Sequence, residues 1–164
     1  MKANDTHVEN LTIENSFDES TEEGGSQAVA AYVQGERMYF KNVRFIGNQD
    51  TLYARAGTQY YTQSSIEGDV DFIMGEASVV INHSEIHSFD RQTPPNNGFI
   101  TAASTLIENP YGIMIQNSQF TSDAATKSVY LGRPWPAGGN PDAIGSVLIR
   151  DSELGAHIRD DGWS

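Results

Sequence analysis

The chain has 164 residues, a length typical of one domain, and its 10 Lys and Arg residues face 22 Asp and Glu residues, for a formal charge of −12. This charge excludes the basic surface that nucleic acid requires and argues against an anionic membrane. The chain has no cysteine, which excludes a disulfide framework and any metal site with Cys ligands. No apolar run approaches the roughly 18 residues of a membrane span.

A six-residue pattern recurs along the chain: an apolar residue, any residue, an Asn-like residue, any two residues, and an apolar residue. Successive copies begin 32, 21, 20, 34 and 34 residues apart. The two steps near 20 residues indicate the bare repeating unit, and the longer steps carry loops. The copies are Val8–Ile13, Phe40–Phe45, Tyr61–Ile66, Ile81–Ile86, Ile115–Phe120 and Ile149–Leu154.

A β-rich unit of about 20 residues is typical of a parallel β-helix or a leucine-rich repeat. The leucine-rich pattern L-x-x-L-x-L-x-x-N is absent, and Leu is scarce. The third position of the repeat holds Asn, Gln, His or Asp, which can hydrogen-bond from coil to coil as in amide ladders. The fourth position is Ser in four copies, which suits a tight, internally stacked turn. We therefore predict an all-β, right-handed parallel β-helix, because parallel crossovers are overwhelmingly right-handed.

Three insertions interrupt the repeat. Glu19–Ser26 is acidic and Gly-rich, Phe89–Asn97 contains Pro-Pro-Asn-Asn, and Pro134–Asp142 contains Pro-Trp-Pro and Gly-Gly. Loops on a rigid solenoid are the usual place for a binding cleft. We therefore expect these insertions to lie near a functional site.

Two aspartates occupy equivalent positions of neighbouring units. Asp50 lies eight residues after Asn42, and Asp71 lies eight residues after Gln63, its equivalent in the next unit. The carboxylates should therefore share one register of adjacent coils, about 4.8 Å apart. Two such charges cannot both ionise easily, so one member would be an acid and the other an anion. The alternative is a pair of surface aspartates, although the apolar neighbour Phe72 makes Asp71 unusual for a solvated charge.

Four short motifs surround these aspartates. They resemble, in the same order and with similar spacing, motifs of the pectin methylesterase (pectinesterase) family. The motifs are Gln27–Ala30 (QAVA), Gln49–Tyr53 (QDTLY), Gly68–Gly75 (GDVDFIMG) and Tyr130–Trp135 (YLGRPW). The segment Phe99–Thr105 is more similar to the bacterial branch than to the plant branch. The resemblance covers nearly all of the chain.

The resemblance implies a role for each residue that matches a family motif. Asp71 matches the nucleophile, which attacks the methyl-ester carbonyl of a galacturonate unit. Asp50 matches the acid/base that protonates the leaving methanol and later activates water. Gln27 and Gln49 match the amides that stabilise the tetrahedral oxyanion, and Arg133 matches the arginine that hydrogen-bonds the nucleophile and keeps it ionised. The family uses no metal and no organic cofactor.

The resemblance also implies a set of substrate-binding side chains. Trp135 matches an aromatic residue of the substrate cleft. Met74 stands where the family motif has a second Phe, so it would form one wall of that cleft. We expect Phe72 and Tyr53 to complete the set, with packing in the core or between coils as the open alternative for both.

The expected protein is a single β-helix domain over residues 1–164, a segment that lacks N-terminal coils and a C-terminal tail of the family. Asn48 and Ala31–Tyr32 also depart from common family residues. The expected partner is methyl-esterified pectin, with no nucleic acid and no membrane, and the expected state is a monomer. The resemblance implies a secreted or periplasmic location, although Met1–Asp5 shows no apolar signal sequence.

Two other functions remain open at this stage. One is an inactive β-helix that binds pectin or serves as a scaffold, which the missing coils would favour. The other is a glycoside hydrolase acting on polygalacturonate, because carboxylates about 5–5.5 Å apart suit a retaining mechanism. The glutamines and Arg133 argue against the hydrolase of glycosidic bonds, because an ester oxyanion and an anionic nucleophile account for them better.

Overall fold

The computed structural model describes residues 1–19 and 27–164, and within these ranges it is built almost entirely of strands. The strands are β1 His7–Glu14, β2 Ala31–Ile46, β3 Leu52–Thr62, β4 Ser65–Gly68, β5 Val70–Gly75, β6 Ser78–Asn82, β7 Glu85–Ser88, β8 Gly98–Ala103, β9 Ile113–Gln116, β10 Gln119–Ser122, β11 Val129–Gly132, β12 Val147–Arg150 and β13 Glu153–Leu154. A 3-10 turn is formed by Ala137–Gly139. No helix there is long and apolar enough to cross a membrane.

The strands pair in parallel from coil to coil and form three ladders. One ladder runs through β3, β6, β9 and β12, and a second runs through β4, β7, β10 and β13. The third, here called the site face, consists of Ala31–Gln34 of β2 with β3, β5, β8 and β11. This arrangement confirms the predicted parallel β-helix.

The core fills the space between the three ladders. Phe40 and Tyr61 stack with their ring centroids 4.6 Å apart, and Phe45 contacts both rings edge-on. All three side chains are fully buried. Because side chains alternate between the two faces of a strand, the first and last positions of the four inner repeat copies point into this core. Leu154, which ends the last copy, is 46% exposed.

The third repeat position turns the chain between two ladders. All six residues there have positive φ angles between 49 and 57°, a region in which Asn and Asp are enriched. These residues are Asn10, Asn42, Gln63, His83, Asn117 and Asp151. The predicted amide ladder is present where Asn42 Nδ2 donates to Asn10 Oδ1 at 2.8 Å. The shared turn geometry is the wider reason for the Asn-like pattern.

The fourth repeat position links coils through serine hydroxyls, as its size predicts. Ser64 Oγ accepts from Val43 N at 3.1 Å, and Ser84 Oγ accepts from Ser64 N at 3.2 Å. Ser118 Oγ continues this ladder by accepting from Ser84 N at 3.1 Å. Each hydroxyl satisfies a backbone donor at the corner, where the strand ladder cannot.

The insertions Phe89–Asn97 and Pro134–Asp142 lie outside the strands, as predicted. Each follows or precedes a strand of the site face, because Gly98 opens β8 and Gly132 closes β11. Glu19 ends the first described range, and the rest of the predicted insertion Glu19–Ser26 lies outside the described residues.

Candidate active site

Asp50 and Asp71 lie side by side on the site face. Strands β3 and β5 pair Leu52 with Ile73, so Asp50 and Asp71, each two residues earlier, occupy the same register. Asp50 N donates to Val70 O at 3.0 Å across the two coils. Both aspartates have positive φ, 69° and 53°, in a region that costs energy for most residues. The register predicted from the repeat is therefore the register that the strands adopt.

Arg133 binds Asp71 through two guanidinium nitrogens. Its Nε donates to Asp71 Oδ1 at 2.9 Å and its Nη2 donates to Oδ2 at 2.6 Å, in the bidentate geometry that favours an ionised carboxylate. The Asp71 side chain is 11% exposed, whereas that of Arg133 is 40% exposed. The anion is thus nearly desolvated on one side and held by a cation that reaches it from the surface.

The backbone on either side of Arg133 fixes where its side chain starts. A Cβ atom on Gly132 would lie 2.0 Å from Thr101 Oγ1, so only glycine allows β11 to approach β8 this closely. Arg133 N then donates to Thr101 O at 3.0 Å. Phe99 supports the other end, with its ring centroid 4.3 Å from the Arg133 guanidinium carbon.

Asp50 has the electrostatics of an acid beside an anion. Burial and the neighbouring charge of Asp71 raise the pKa of Asp50 to about 6, although Arg133 acts in the opposite direction. Asp50 is half-buried, and Arg133 donates its hydrogen bonds to Asp71 and not to Asp50. The two carboxyl groups therefore differ in the way that an acid/base and a nucleophile must differ.

The two predicted amides lie on the same face, one coil apart. Gln49 precedes Asp50 in the chain and is partly buried, and the Gln49 carbonyl oxygen accepts from Ala28 N at 3.1 Å. This bond places Gln27, which is exposed, on the coil next to Gln49. Gln27, Gln49 with Asp50, and Asp71 thus come from three successive coils, with Gln27 one coil away from Gln49 and Asp50.

An aromatic row extends from the carboxylate pair. Trp135 meets Tyr53 edge-on at a centroid distance of 5.8 Å, and Tyr53 meets Tyr32 edge-on at 5.2 Å. The row presents partly exposed aromatic surface, which suits the apolar faces of sugar rings. Tyr32 stands at a departure from the family motif, so sequence comparison alone did not single it out.

The structure buries two of the four predicted substrate contacts, Phe72 and Met74. Phe72 lies in the core and is 0% exposed to solvent, as is its neighbour Ile73. The register shift between Val70 and Ile73 interrupts the regular alternation of β5 at this point. Phe72 therefore cannot touch a substrate and acts only from beneath. Met74 pairs in register with Tyr53 and lies outside the core cluster, but only 5% of it is exposed.

Phe99 is a functional candidate that the sequence did not assign a role. A phenylalanine in a strand reads as a core residue, yet Phe99 is partly exposed and stacks between the Arg133 guanidinium and the Tyr130 ring. The alternation of β8, with Ile100 buried and Phe99 outside, is the signal that could have identified it.

A cavity of about 230 Å³ adjoins Arg133 and is lined in part by Pro134 and Trp163. A larger hollow of about 490 Å³ lies on another ladder, against Tyr60, Met114 and Leu148. The smaller cavity is the one that belongs to the site, because it borders the guanidinium that holds Asp71. Across the described residues no cluster of three or more His, Cys, Asp or Glu side chains could hold a metal ion.

The fold places the chain among the parallel β-helix proteins, and comparison with known proteins gives its family. The chain belongs to the pectinesterase family, whose model matches residues 2–164. It is 37% identical to a pectinesterase of Ralstonia solanacearum, over 97% of this chain and 45% of that protein. The chain thus spans about half the length of the curated relatives it matches.

Solved structures give the same result. A pectin methylesterase in complex with a hexasaccharide superposes with a TM-score of 0.89 at 34% identity, covering 96% of this chain and 54% of that one. A pectin methylesterase from Yersinia enterocolitica superposes with a TM-score of 0.90 at 32% identity, covering 99% of this chain and 58% of that one. The family resemblance of the four motifs is confirmed by these matches.

Proposed function

We propose that this chain carries the catalytic centre of a pectin methylesterase, which hydrolyses methyl esters of galacturonate units in pectin and yields methanol and a free carboxylate. The observation that carries the proposal is the asymmetric pair: Asp71 held by Arg133 through two hydrogen bonds, beside Asp50 with its raised pKa. Family membership and the hexasaccharide bound to a similar protein support the substrate class.

The first half of the reaction forms an acyl-enzyme. The Asp71 carboxylate attacks the ester carbonyl carbon, and the carbonyl oxygen becomes an oxyanion that accepts hydrogen bonds from the side-chain amides of Gln27 and Gln49. When the tetrahedral intermediate collapses, the methoxide leaves and takes the proton of Asp50. The products of this half are methanol and an anhydride between Asp71 and the galacturonate carbonyl.

The second half releases the acid. Asp50, now ionised, removes a proton from water, and the resulting hydroxide attacks the anhydride carbonyl carbon. The bond to Asp71 breaks, which returns Asp71 as a carboxylate paired with Arg133 and releases galacturonic acid, which then ionises in water. Asp50 is protonated again at the end, so one ester and one water give one methanol and one carboxylic acid.

The aromatic row supplies a site for the polymer beside this centre. Trp135 and Tyr53 offer partly exposed ring surface, and they follow Arg133 and Asp50 by two and three residues along the chain. Neutral methyl esters suit a protein of formal charge −12 better than free carboxylates do, because the anionic product is repelled. We further propose that the protein works as a monomer outside the cytoplasm, since polymeric pectin does not enter cells.

An assay of methanol release from methylated pectin, run together with an assay of new reducing ends, tests the function. Methanol without new reducing ends is the expected result. Reducing ends without methanol would indicate a glycoside hydrolase instead. Binding of pectin without either product, in a sample whose circular dichroism shows β structure, would indicate an inactive binding protein.

A further inference from the structure

A second cluster of charged side chains lies directly beside the nucleophile and takes no part in the chemistry above. It consists of Glu19, Asp69 and Arg91, which come from three separate segments of the chain and are here called the acid clamp. Arg91 Nε donates to Glu19 Oε1 at 3.0 Å and lies 3.4 Å from Asp69 Oδ2. One cation therefore faces two carboxyl groups.

Both carboxyl groups of the acid clamp are withdrawn from water. The Asp69 side chain is 3% exposed and that of Glu19 is 15% exposed. The two groups face the same nitrogen, Arg91 Nε, which lies 3.0 Å from Glu19 Oε1 and 3.4 Å from Asp69 Oδ2. Glu19 Oε2 is buried and receives no hydrogen bond from the part of the chain that the structure describes.

A proton between the two acids stabilises this arrangement. Ionised carboxylates are acceptors only, so two of them in contact repel each other and leave lone pairs unsatisfied. A single shared proton converts one acid into a donor, satisfies the orphaned oxygen and makes the clamp neutral overall with Arg91. Without that proton the clamp would carry one uncompensated buried negative charge beside Asp71.

The charged groups that act on Asp69 come from two of the segments packed against it. Glu19 lies on the segment after β1, and Arg91 lies on the loop after β7. Burial, followed by the hydrogen bond and the charge of Glu19, raises the pKa of Asp69 to about 7, and Arg91 and the N–H of Val70 oppose that shift.

Asp69 is tied to the backbone that carries the nucleophile. Its Oδ1 accepts from Val70 N at 2.5 Å, immediately before Asp71. Its own N–H donates to Asn48 O at 3.3 Å, on the coil of Asp50, and its carbonyl oxygen accepts from Phe99 N at 3.1 Å, on the coil beneath Arg133. Asp69 thus joins the three coils that supply the acid/base, the nucleophile and the support of the arginine.

The loop side of the clamp is equally fixed. Asn97, which is buried, accepts from Arg91 N at 2.8 Å through Oδ1 and donates to Phe89 O at 2.7 Å through Nδ2. These bonds close the loop on itself and hold Arg91 against the acids. The clamp therefore acts on Asp69 from a rigid frame.

We infer that Asp69 is a positioning residue: a proton shared with Glu19, in the field of Arg91, holds the turn that presents Asp71 to the substrate. Loss of that proton drives the two acids apart and shifts the turn. The inference rests on the proposed function only for its kinetic readout, since the shared proton itself can be detected without substrate.

The kinetic test compares Asp69→Ala with Asp69→Asn. Asn retains an oxygen for Val70 N and supplies a permanent amide donor for Glu19, so D69N imitates the protonated clamp. Ala removes both, and we expect kcat at pH 5.5 to fall about tenfold or more in D69A with little change in KM, because misplacing a reacting group by a fraction of an ångström is costly. We expect D69N to restore most of that kcat.

The pH profile separates positioning from a merely structural role. Both wild type and D69N contain Asp50, so its titration cancels in the ratio of their activities. We expect that ratio, D69N over wild type, to rise about threefold or more between pH 6 and pH 8, as the wild-type clamp loses its proton. Glu67→Gln is the matched control, because Glu67 is a buried acid bound to Arg44. The ratio of E67Q activity to wild-type activity should not change between pH 6 and pH 8.

The spectroscopic test follows the side-chain carboxyl carbons by NMR during a pH titration of the free protein. An Asp resonance that titrates near neutral pH, disappears in D69N and moves to lower pH in Glu19→Gln is the expected result. Titration of Asp69 near the ordinary pKa of about 4 would overturn the inference, as would a kcat of D69A within twofold of wild type. If D69A does not fold, Glu19→Ala replaces it in the comparison.

The two proposals fail in distinguishable ways. Absence of methanol release by the wild type at every pH would contradict the proposed function and leave the carboxyl titration to decide the shared proton. Normal methanol release with an ordinary titration of Asp69 would contradict the acid clamp alone.

Discussion

Two arginine–carboxylate pairs of nearly the same geometry lie on different faces of this β-helix. Arg44 binds Glu67 at 2.5 and 2.8 Å, and Arg133 binds Asp71 at 2.9 and 2.6 Å. The carboxylate side chains are 8% and 11% exposed, so burial does not distinguish the two pairs. A bidentate, buried ion pair is therefore not by itself a sign of function.

The neighbours of each pair make the difference. Ser65 Oγ donates to Glu67 at 2.5 Å, and, although burial opposes it, hydrogen bonds from Arg44 and Ser65 keep the pKa of Glu67 below its ordinary value. Asp71 instead faces a second carboxyl group, Asp50, whose pKa is raised to about 6. One pair has every neighbour favouring a single charge state, whereas the other is next to a group that can exchange a proton.

The largest expected effect comes from the two carboxylates themselves. We expect Asp71→Asn to lower kcat by about a thousandfold or more, because the amide cannot form the acyl-enzyme. Glu67→Gln removes the same charge from the other pair and should leave kcat within about twofold while lowering Tm. Methanol release gives kcat of D71N and E67Q, and thermal unfolding gives their Tm. A large loss of kcat in E67Q would contradict the distinction between the two ion pairs.

The next effect concerns Asp50 and its proton. We expect Asp50→Asn to lower kcat by about a hundredfold to a thousandfold, the usual range for loss of an acid/base. In the wild type the protonated form that the first step needs is lost as pH rises through about 6, so kcat/KM should decline above that pH. The profile of kcat/KM against pH measures this decline. If D50N shows the same decline, a group other than Asp50 causes it.

The same raised pKa of Asp50 predicts that the stability of the folded protein changes with pH. Since Asp50 binds its proton more tightly when folded than when unfolded, the folded state loses stability as pH rises from about 4, the unfolded value, to about 6. In D50N this contribution is absent. Tm of the wild type relative to D50N should therefore fall over that window, and parallel Tm profiles would show that Asp50 titrates normally.

Much of this fold could be predicted because the repeat is written in the sequence. The third repeat position, which includes Asn42 and Gln63, marks a corner of each coil. Its spacing alone predicts that Asp50 lies beside Asp71, as the strand register confirms. Phe72 shows where such reasoning stops, since its motif implied a substrate contact, whereas the irregular register of β5 goes with its burial in the core. Motif matching carries over types of residues but does not show which way a side chain points.

The acid clamp marks a second limit of the sequence. The motifs assign Asp69 no role, and its partners Glu19 and Arg91 are 50 and 22 residues away along the chain. No local period relates three such positions, so only the stacking of coils brings them together. Long-range pairs between loops depend on loop conformation, which the repeat does not encode.

A third contrast concerns the two arginines, and its expected effect is smaller. Arg133→Lys keeps the charge but loses the bidentate fork, so we expect kcat to fall about tenfold to a hundredfold. Arg44→Lys makes the same change at Glu67 and should alter Tm while leaving kcat near the wild-type value. Equal kcat losses in the two variants would mean that the Arg133 pair acts through general stability.

The smallest expected effect concerns the aromatic support of Arg133. Phe99 places its ring 4.3 Å from the guanidinium carbon, whereas no ring contact is recorded for Arg44 within the described residues. We expect Phe99→Leu to lower kcat about threefold to tenfold, since a cation–π contact at a partly exposed site stabilises by about 0.5–1 kcal/mol and also orients the guanidinium.

The control for Phe99 is the next ring of the same stack. Tyr130 lies 5.3 Å from Phe99 and carries Arg159 at 4.6 Å, so Tyr130→Leu removes an equivalent cation contact while leaving Phe99 against Arg133. Its kcat should change less than that of F99L. If the two variants lose the same activity, the stack acts as a packing unit, and the distinction between the two arginine pairs then rests on Asp50 alone.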